Sequence, residues 1–334
     1  EIDFLLHEID GTENFINIGG NTAFALSVAN AEAAATSYNL PLFQYLSGCL
    51  IDELPYPLGN VLGGGKHALG KTTDIQEYLV IPFKASSFIE ATAANLMVHK
   101  KIGVLLRKVD SNFAGGTGDE GAWAPNIENE KALEIVGKAC EEVSGELGIE
   151  CRPGLDVAAS SFWNPKEAVY LYSMEGKKRD SGEQLEFILH LIEEYNLAYV
   201  EDPFNEDDYE SFAELTKKTK DCLICGDDLF VTNCDRLSKG IRMGAANSLI
   251  VKGNQIGTLT DAWETTRLAK SAGYIPVMSH RSGETTDTHL AHLAVGFSCP
   301  IIKCGVVHGE RVAKLNELIR IEENLGNKAQ MSRI

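Results

Sequence analysis

A chain of 334 residues with 44% hydrophobic and 23% charged residues has the makeup of an ordinary folded protein, large enough for one barrel plus a smaller domain. Its formal charge of -18 disfavours non-specific attraction to nucleic acid or to an anionic membrane, so a site for an anionic substrate needs local cations of its own. There is no signal peptide and no apolar run long enough to span a bilayer; the start on Glu1, without an initiating Met, leads us to expect a preceding N-terminal segment.

The first elements are helical. Residues 22–39 are alanine-rich with apolar residues at helical intervals, and PLFQYLSG continues as a second short helix after Pro41. Both are assigned to a small, mainly helical domain, residues 1–53, beside a barrel over residues 54–334. LPYPLGNVLGGGKHALG supplies a strand-like approach, three glycines at 63–65 and His67, which fit backbone close to a ligand and fit a plain flexible loop equally well. TTDIQEYLVIP is the next strand, with Gln76 and Glu77 at its start. Residues 86–109 make one long helix, or two broken near Gly103. GGTGDEGAWAPN, residues 115–126, is too rich in glycine to be regular, and on composition alone its Asp119 and Glu120 read as solvated acids. An amphipathic helix over 127–148 ends at a glycine.

From Cys151 the units become regular. Strands end at Asp156, Glu201, Asp227, Lys252, His280 and Lys303, and an antiparallel-looking VYLYS follows the first of them. Successive strand ends lie 45, 26, 25, 28 and 23 residues apart, which suits one strand, one helix and two loops per unit and is the rhythm of a β/α barrel. Intervening helices are expected near 209–220, 259–271, 285–297 and 310–325. Ser181 opens another, with Gln184 three residues on as a capping-box signal, and Thr232 is the expected N-cap of the next, with Asp235 at its third position. Eight cysteines include one CxxC, Cys222 to Cys225, with no second pair to complete a zinc site; they read as reduced, buried residues of a cytosolic protein.

In a β/α barrel the C-terminal ends of the strands meet on one face, so Asp156, Glu201, Asp227, Lys252, His280 with Arg281, and Lys303 converge. Three carboxylates aimed at one place raise each other's pKa unless a cation joins them, and oxygen-only ligands favour Mg²⁺ over zinc. Three separate salt bridges or helix caps are the alternative. A lysine facing such a metal and a second lysine is expected to be partly neutral, hence a base for a weakly acidic proton α to a carboxylate.

Nine segments carry a resemblance to a known family: GGGKHA, DIQEY, GDEGAWAPN, GLDVAAS, VEDPF, GDDLFVTN, SLIVKGNQIGT, SHRSGETTDT and GERVAKLNELIRIEENL. Together, and in this order, they resemble enolase, from about residue 10 to residue 325. The resemblance implies an α/β fold, an enolase-type β/α (TIM-like) barrel behind a smaller, incomplete N-terminal α+β domain, and Mg²⁺-dependent interconversion of 2-phosphoglycerate and phosphoenolpyruvate. It matches Lys252 to the general base, Glu120 to the general acid, and Asp156, Glu201 and Asp227 to the Mg²⁺ ligands. It matches Gln76, Lys252, Arg281, Ser282 and Lys303 to substrate contacts, with His67, Glu77 and His280 around the acid. A cytoplasmic homodimer or larger ring, without a nucleic-acid or membrane partner, is implied as well. The strand meander and SGAS lid that the family carries ahead of this region are not in the sequence. Several stretches differ from the family's usual form: FINIGGNTA for KSxLGANA, VKGNQ for LKVNQ, SGETTD for SGETED and GDEGA for GDEGG. Two other readings stay open: another superfamily member acting on a different carboxylate, and a non-catalytic enolase-like binding or assembly protein.

Overall fold

The computed structural model describes residues 1–48, 51–68, 70, 72–111 and 113–334. Three helices come first: α1 (Ile2–Asp10), α2 (Gly20–Ser37) and α3 (Leu42–Ser47). They match the two alanine-rich and Pro-initiated helices of the sequence and add α1 ahead of them. Ala31 and Ala35 of α2 and Phe43 of α3 are buried in the main hydrophobic core. Phe15 and Ala23 form a smaller apolar cluster with Leu6.

Eight strands close into a barrel in which neighbours in sequence are neighbours in space. They are β1 (Tyr56–Gly63), β2 (Glu77–Phe83), β3 (Glu150–Asp156), β4 (Tyr199–Glu201), β5 (Leu223–Gly226), β6 (Ser248–Val251), β7 (Ile275–Ser279) and β8 (Ile301–Gly305). β2 runs antiparallel to β1 and to β3, whereas the remaining neighbours, including the closing pair β8 and β1, are parallel. The barrel therefore begins with a hairpin-like pair of strands and two helices, α4 (Phe88–Val109) and α5 (Asn129–Leu147), before the regular alternation starts. Every residue of β1, β6 and β8 is buried, as expected of strands covered on both faces.

Outside the barrel, residues 163–179 make a three-stranded antiparallel sheet that contains the expected VYLYS strand. The remaining helices are α6 (Ser181–Glu194), α7 (Tyr209–Lys218), α8 (Cys234–Met243), α9 (Gly253–Ile256), α10 (Leu259–Ser271), α11 (His289–Gly296) and α12 (Gly309–Leu325). Among the described residues no helix is long and apolar enough to cross a membrane.

Several boundaries differ from the sequence reading, each for a local reason. α4 runs unbroken through Gly103 because the Trp123 ring lies where a side chain would stand, so the glycine makes room for packing and does not break the helix. The capping box of α6 is Asp180 with Glu183, one residue before the expected Ser181 and Gln184; Gln184 is buried and bonds Tyr172 and the Pro203 carbonyl instead. α8 is capped by Asn233, not Thr232, whose buried hydroxyl accepts from the Lys252 amide at 2.9 Å. α11 begins at His289 rather than 285, after a turn in which Asp287 accepts from the His289 amide. The turn expected after Lys252 is the one-turn helix α9. β8 continues two residues past Lys303, which places that lysine inside the barrel and not at its rim. The described cysteines are all unpaired, including Cys222 and Cys225; Cys49 lies outside the described residues.

Two glycines fix the end of β5. The Phe230 ring, fully buried, is held between Gly226 of β5 and Gly240 of α8; a Cβ on Gly226 would stand 2.7 Å from the ring and one on Gly240 2.4 Å. Alanine in a helix interior gains about 0.5–1 kcal/mol over glycine, but overpacking a tight core costs about 1–3 kcal/mol. Gly240→Ala is therefore expected to destabilise the fold, read as a lower urea midpoint with an unchanged denaturant slope. A raised midpoint would show that the ring moves aside freely.

Candidate active site

Strand register builds the centre of the site. Glu77 of β2 pairs with Asp156 of β3, and Asp156 pairs with Glu201 of β4, so three carboxylates stand level across three adjacent strands. Like charges so placed need a counter-charge, and Lys303 of β8 supplies it. Its Nζ lies 2.9 Å from Asp156 Oδ2, 2.9 Å from each oxygen of Glu201 and 3.3 Å from Glu77 Oε2. Burial opposes the ammonium's charge, but Asp156, Glu201 and Glu77 outweigh it and hold Lys303 well above its ordinary pKa. Burial, then the charge of Asp156, pushes the Glu201 carboxyl up to about 8.

The second lysine, Lys252, follows β6 and pairs with Asp227, which follows β5. The sequence reading made this lysine partly neutral. In the structure burial does oppose its charge, yet the Asp227 carboxylate prevails and raises its pKa. The two lysines also divide the expected metal ligands, with Asp156 and Glu201 on Lys303 and Asp227 on Lys252. Among the described residues, the His and carboxylate groups whose ligand atoms lie within 4.8 Å of one another are His67, Glu77 and Glu120, and Asp202, Asp227 and Asp228; the expected set of Asp156, Glu201 and Asp227 is not one of them. Asp202 is a poor ligand, because its two oxygens already accept from the amides of Asp227 at 3.0 Å and Asp228 at 2.7 Å. It holds the loop that presents Asp227.

Glu120 overturns the composition-based view of a solvated acid. It is only 3% exposed, in a turn where the Gly121 amide bonds the Gly118 carbonyl at 3.1 Å. Gly121 has φ +81°, and a Cβ there would meet Val307 at 2.7 Å, so only glycine allows the turn. Around the carboxylate, Asn60 of β1 donates to Oε2 at 3.0 Å, His280 Nε2 lies 3.2 Å from Oε2, and His67 Nδ1 lies 3.8 Å from Oε1.

These groups face one cavity of about 430 Å³. It is lined by every residue that the sequence pointed to except Glu201, which is fully buried beneath it on Lys303. Gln76 reaches in to donate to Asp156 Oδ2 at 3.3 Å, and Arg281 is half-buried with Nη1 on Asn254 Oδ1 at 2.7 Å. Ser282 is exposed at the mouth. Sequence reasoning missed Asn60, Asp202 and Arg311. Asn60 sits in mid-strand with no pattern to mark it, Asp202 shows only as the second acid of an ED doublet, and Arg311 reads as an ordinary charge in the first turn of a helix.

A closed eight-stranded barrel with this pocket of acids, lysines and histidines at its strand ends defines a β/α-barrel enzyme of the enolase type. Residues 52–333 match the enolase C-terminal TIM barrel domain, and residues 1–46 match the enolase N-terminal domain. The enolase of Methanosphaera stadtmanae is 59% identical over 328 residues, which are 98% of this chain and 79% of that one. The enolase of Methanothermobacter thermautotrophicus is 56% identical over 97% of this chain and 78% of its own. That of Pyrobaculum aerophilum is 51% identical over 99% and 79%. The chain belongs to the enolase family.

Glu201 gives the site a pH signature. Its carboxyl titrates at about 8 when folded and near 4.5 when exposed, so the folded chain holds the extra proton. The stability linked to that proton is fully present below about pH 4.5 and is lost as pH rises through 8. In metal-free buffer the denaturation midpoint is expected to fall across this window, and Glu201→Gln to flatten the fall. Identical slopes for the two proteins would contradict the assignment.

Proposed function

We propose that the chain dehydrates 2-phosphoglycerate to phosphoenolpyruvate with Lys252 as the base that removes the proton α to the carboxylate and Glu120 as the acid that protonates the departing hydroxide. The observation that carries this reading is that both residues line one cavity together with Lys303, Arg281 and Asp156. The reaction class, a hydro-lyase of glycolysis, follows from membership of the enolase family. Relatives of the chain named enolase, at 49–59% identity over nearly its whole length, do not favour a repurposed binding protein or an enzyme for another acid.

Asp156, Glu201 and Asp227 fit a hard divalent cation. They are three buried oxygen donors, and the charge of Asp156 adds to burial in raising the pKa of Glu201. We assign Mg²⁺ to them; when bound, it would supply positive charge to these carboxylates and to the negative charge that grows on the substrate carboxylate. Lys252 serves as base only after giving up its proton, which requires that the charge of Asp227 be engaged elsewhere. Lys303 faces the substrate carboxylate, and Arg281 offers the phosphate a planar pair of donors. Gln76 and Ser282 complete the substrate contacts, while His67, Glu77 and His280 surround Glu120. The same reading places residues 1–53 as part of the capping domain and residues 54–334 as the barrel, in a cytoplasmic homodimer or larger ring.

The test follows the ultraviolet absorbance of phosphoenolpyruvate formed from 2-phosphoglycerate, with and without Mg²⁺. Lys252→Ala and Glu120→Gln are each expected to lower kcat by about 10²–10⁴-fold with the fold intact. Turnover that survives Lys252→Ala, or that ignores a chelator, would refute the assignment.

A further inference from the structure

Arg311, in the first turn of α12, is the largest fully buried side chain in the molecule, with none of its surface exposed. Its guanidinium makes a long ion pair with the partly exposed Glu310, Oε1 standing 3.8 Å from Nε, in place of the close pair a buried arginine ordinarily makes. It spends its donors on the segment that follows β7. Nη1 donates to His280 Nδ1 at 2.8 Å and to the Arg281 carbonyl at 2.5 Å, and Nη2 donates to the Ser282 carbonyl at 2.6 Å. Nη2 also lies 3.4 Å from the carbonyl of Asp119, next to Glu120. Gly305 at the end of β8 clears the way: a Cβ there would stand 2.5 Å from the Glu120 carbonyl and 3.0 Å from Arg311 Cγ.

A guanidinium has donors and no acceptor, so the ring nitrogen it meets must offer a lone pair. His280 Nδ1 is therefore unprotonated, and the ring proton sits on Nε2. That nitrogen faces Glu120 Oε2 at 3.2 Å, within reach of a hydrogen bond that the resting geometry does not align. We propose that Arg311 is a positioning residue which locks His280 in its neutral Nε2–H form, so that His280 gives Glu120 a hydrogen bond but never a proton.

The consequence deepens the dehydratase reading above and rests on it for its catalytic meaning. In the resting chain burial is outweighed by His280, His67 and Asn60, which hold the Glu120 carboxyl well below its usual range, so it must first take up a proton; when it passes that proton to the departing hydroxide, water forms and Glu120 is again a carboxylate. The fixed Nε2–H then stabilises that carboxylate by donating to it. His280 cannot refill Glu120, because losing the Nε2 proton would leave an imidazolate and gaining one at Nδ1 would set N–H against N–H. Refilling is left to the side of His67, which is 17% exposed in the cavity. The charged groups that bear on the His280 ring from the elements packed around it agree with this state. Burial disfavours the imidazolium most, Glu120 from the loop 115–126 opposes that, and Arg311 of α12 and Lys303 of β8 add to it, with a net lowering of the pKa.

The decisive measurement is ¹⁵N NMR of the full chain labelled at histidine, with the His280 signals assigned by their loss in His280→Gln. The expected result is an unprotonated Nδ1 and a protonated Nε2, unchanged between about pH 5 and 8, the range in which a free imidazole titrates. A ring that titrates in that range, or that carries its proton on Nδ1, overturns the proposal whether or not the protein turns over 2-phosphoglycerate. In a folded Arg311→Met the ring is expected to become a mixture of tautomers or to titrate, with kcat lowered about 10–100-fold, more than KM changes, and with an altered pH profile. Arg311→Lys, which keeps a donor, is expected to restore the Nε2–H form in part. An unaltered tautomer in folded Arg311→Met would also overturn it.

Discussion

The ammonium of Lys303, enclosed by Glu77, Asp156 and Glu201, is the charge on which the centre of the barrel rests. The three carboxylates belong to three adjacent strands in fixed register, so they cannot retreat from one another without shearing the sheet. Removing one member of such a buried ionic set leaves an uncompensated charge, which costs about 3–5 kcal/mol. The arrangement is thus held by backbone hydrogen bonds on one side and by a single cation on the other.

A second layer of interactions decides what each of these groups faces. Asp202 uses both oxygens on the amides of Asp227 and Asp228, which sets the direction of the Asp227 side chain. Thr232 accepts from the Lys252 amide, which fixes where the lysine leaves β6. Asn60 and His280 meet Glu120 from different strands, and Arg311 holds His280 from a helix on the outside of the barrel. These supporting groups keep long, charged side chains in single directions, so that little conformational freedom is left to lose when the reaction begins.

The antiparallel second strand has a functional result. Because β1 and β2 run opposite ways, the start of β2 and the end of β1 lie at the same rim of the barrel. The loop between them, with its glycines and His67, is thereby placed beside the acid side of the cavity, next to Gln76 and Glu77. In a strictly parallel barrel the first residues of a strand would lie at the far end, away from the chemistry.

The sequence by itself determined the alternation of strands and helices after Cys151, because apolar runs and their spacing are local properties of the chain. It also determined which charged residues follow those runs, and through its ordered motifs it determined the family. What local pattern could not supply was the state of each group. Whether Glu120 is solvated or buried depends on a turn closed by Gly121 against Val307, and whether Lys252 is neutral or charged depends on Asp227, 25 residues away in sequence. Arg311 is the sharpest case: a charge in the first turn of a terminal helix looks solvent-facing in one dimension, and only packing α12 against β8 and the segment after β7 turns it into the partner of His280. Periodicity records which face of an element is apolar, but burial, tautomer and ionisation are set by neighbours that only the closed barrel brings together.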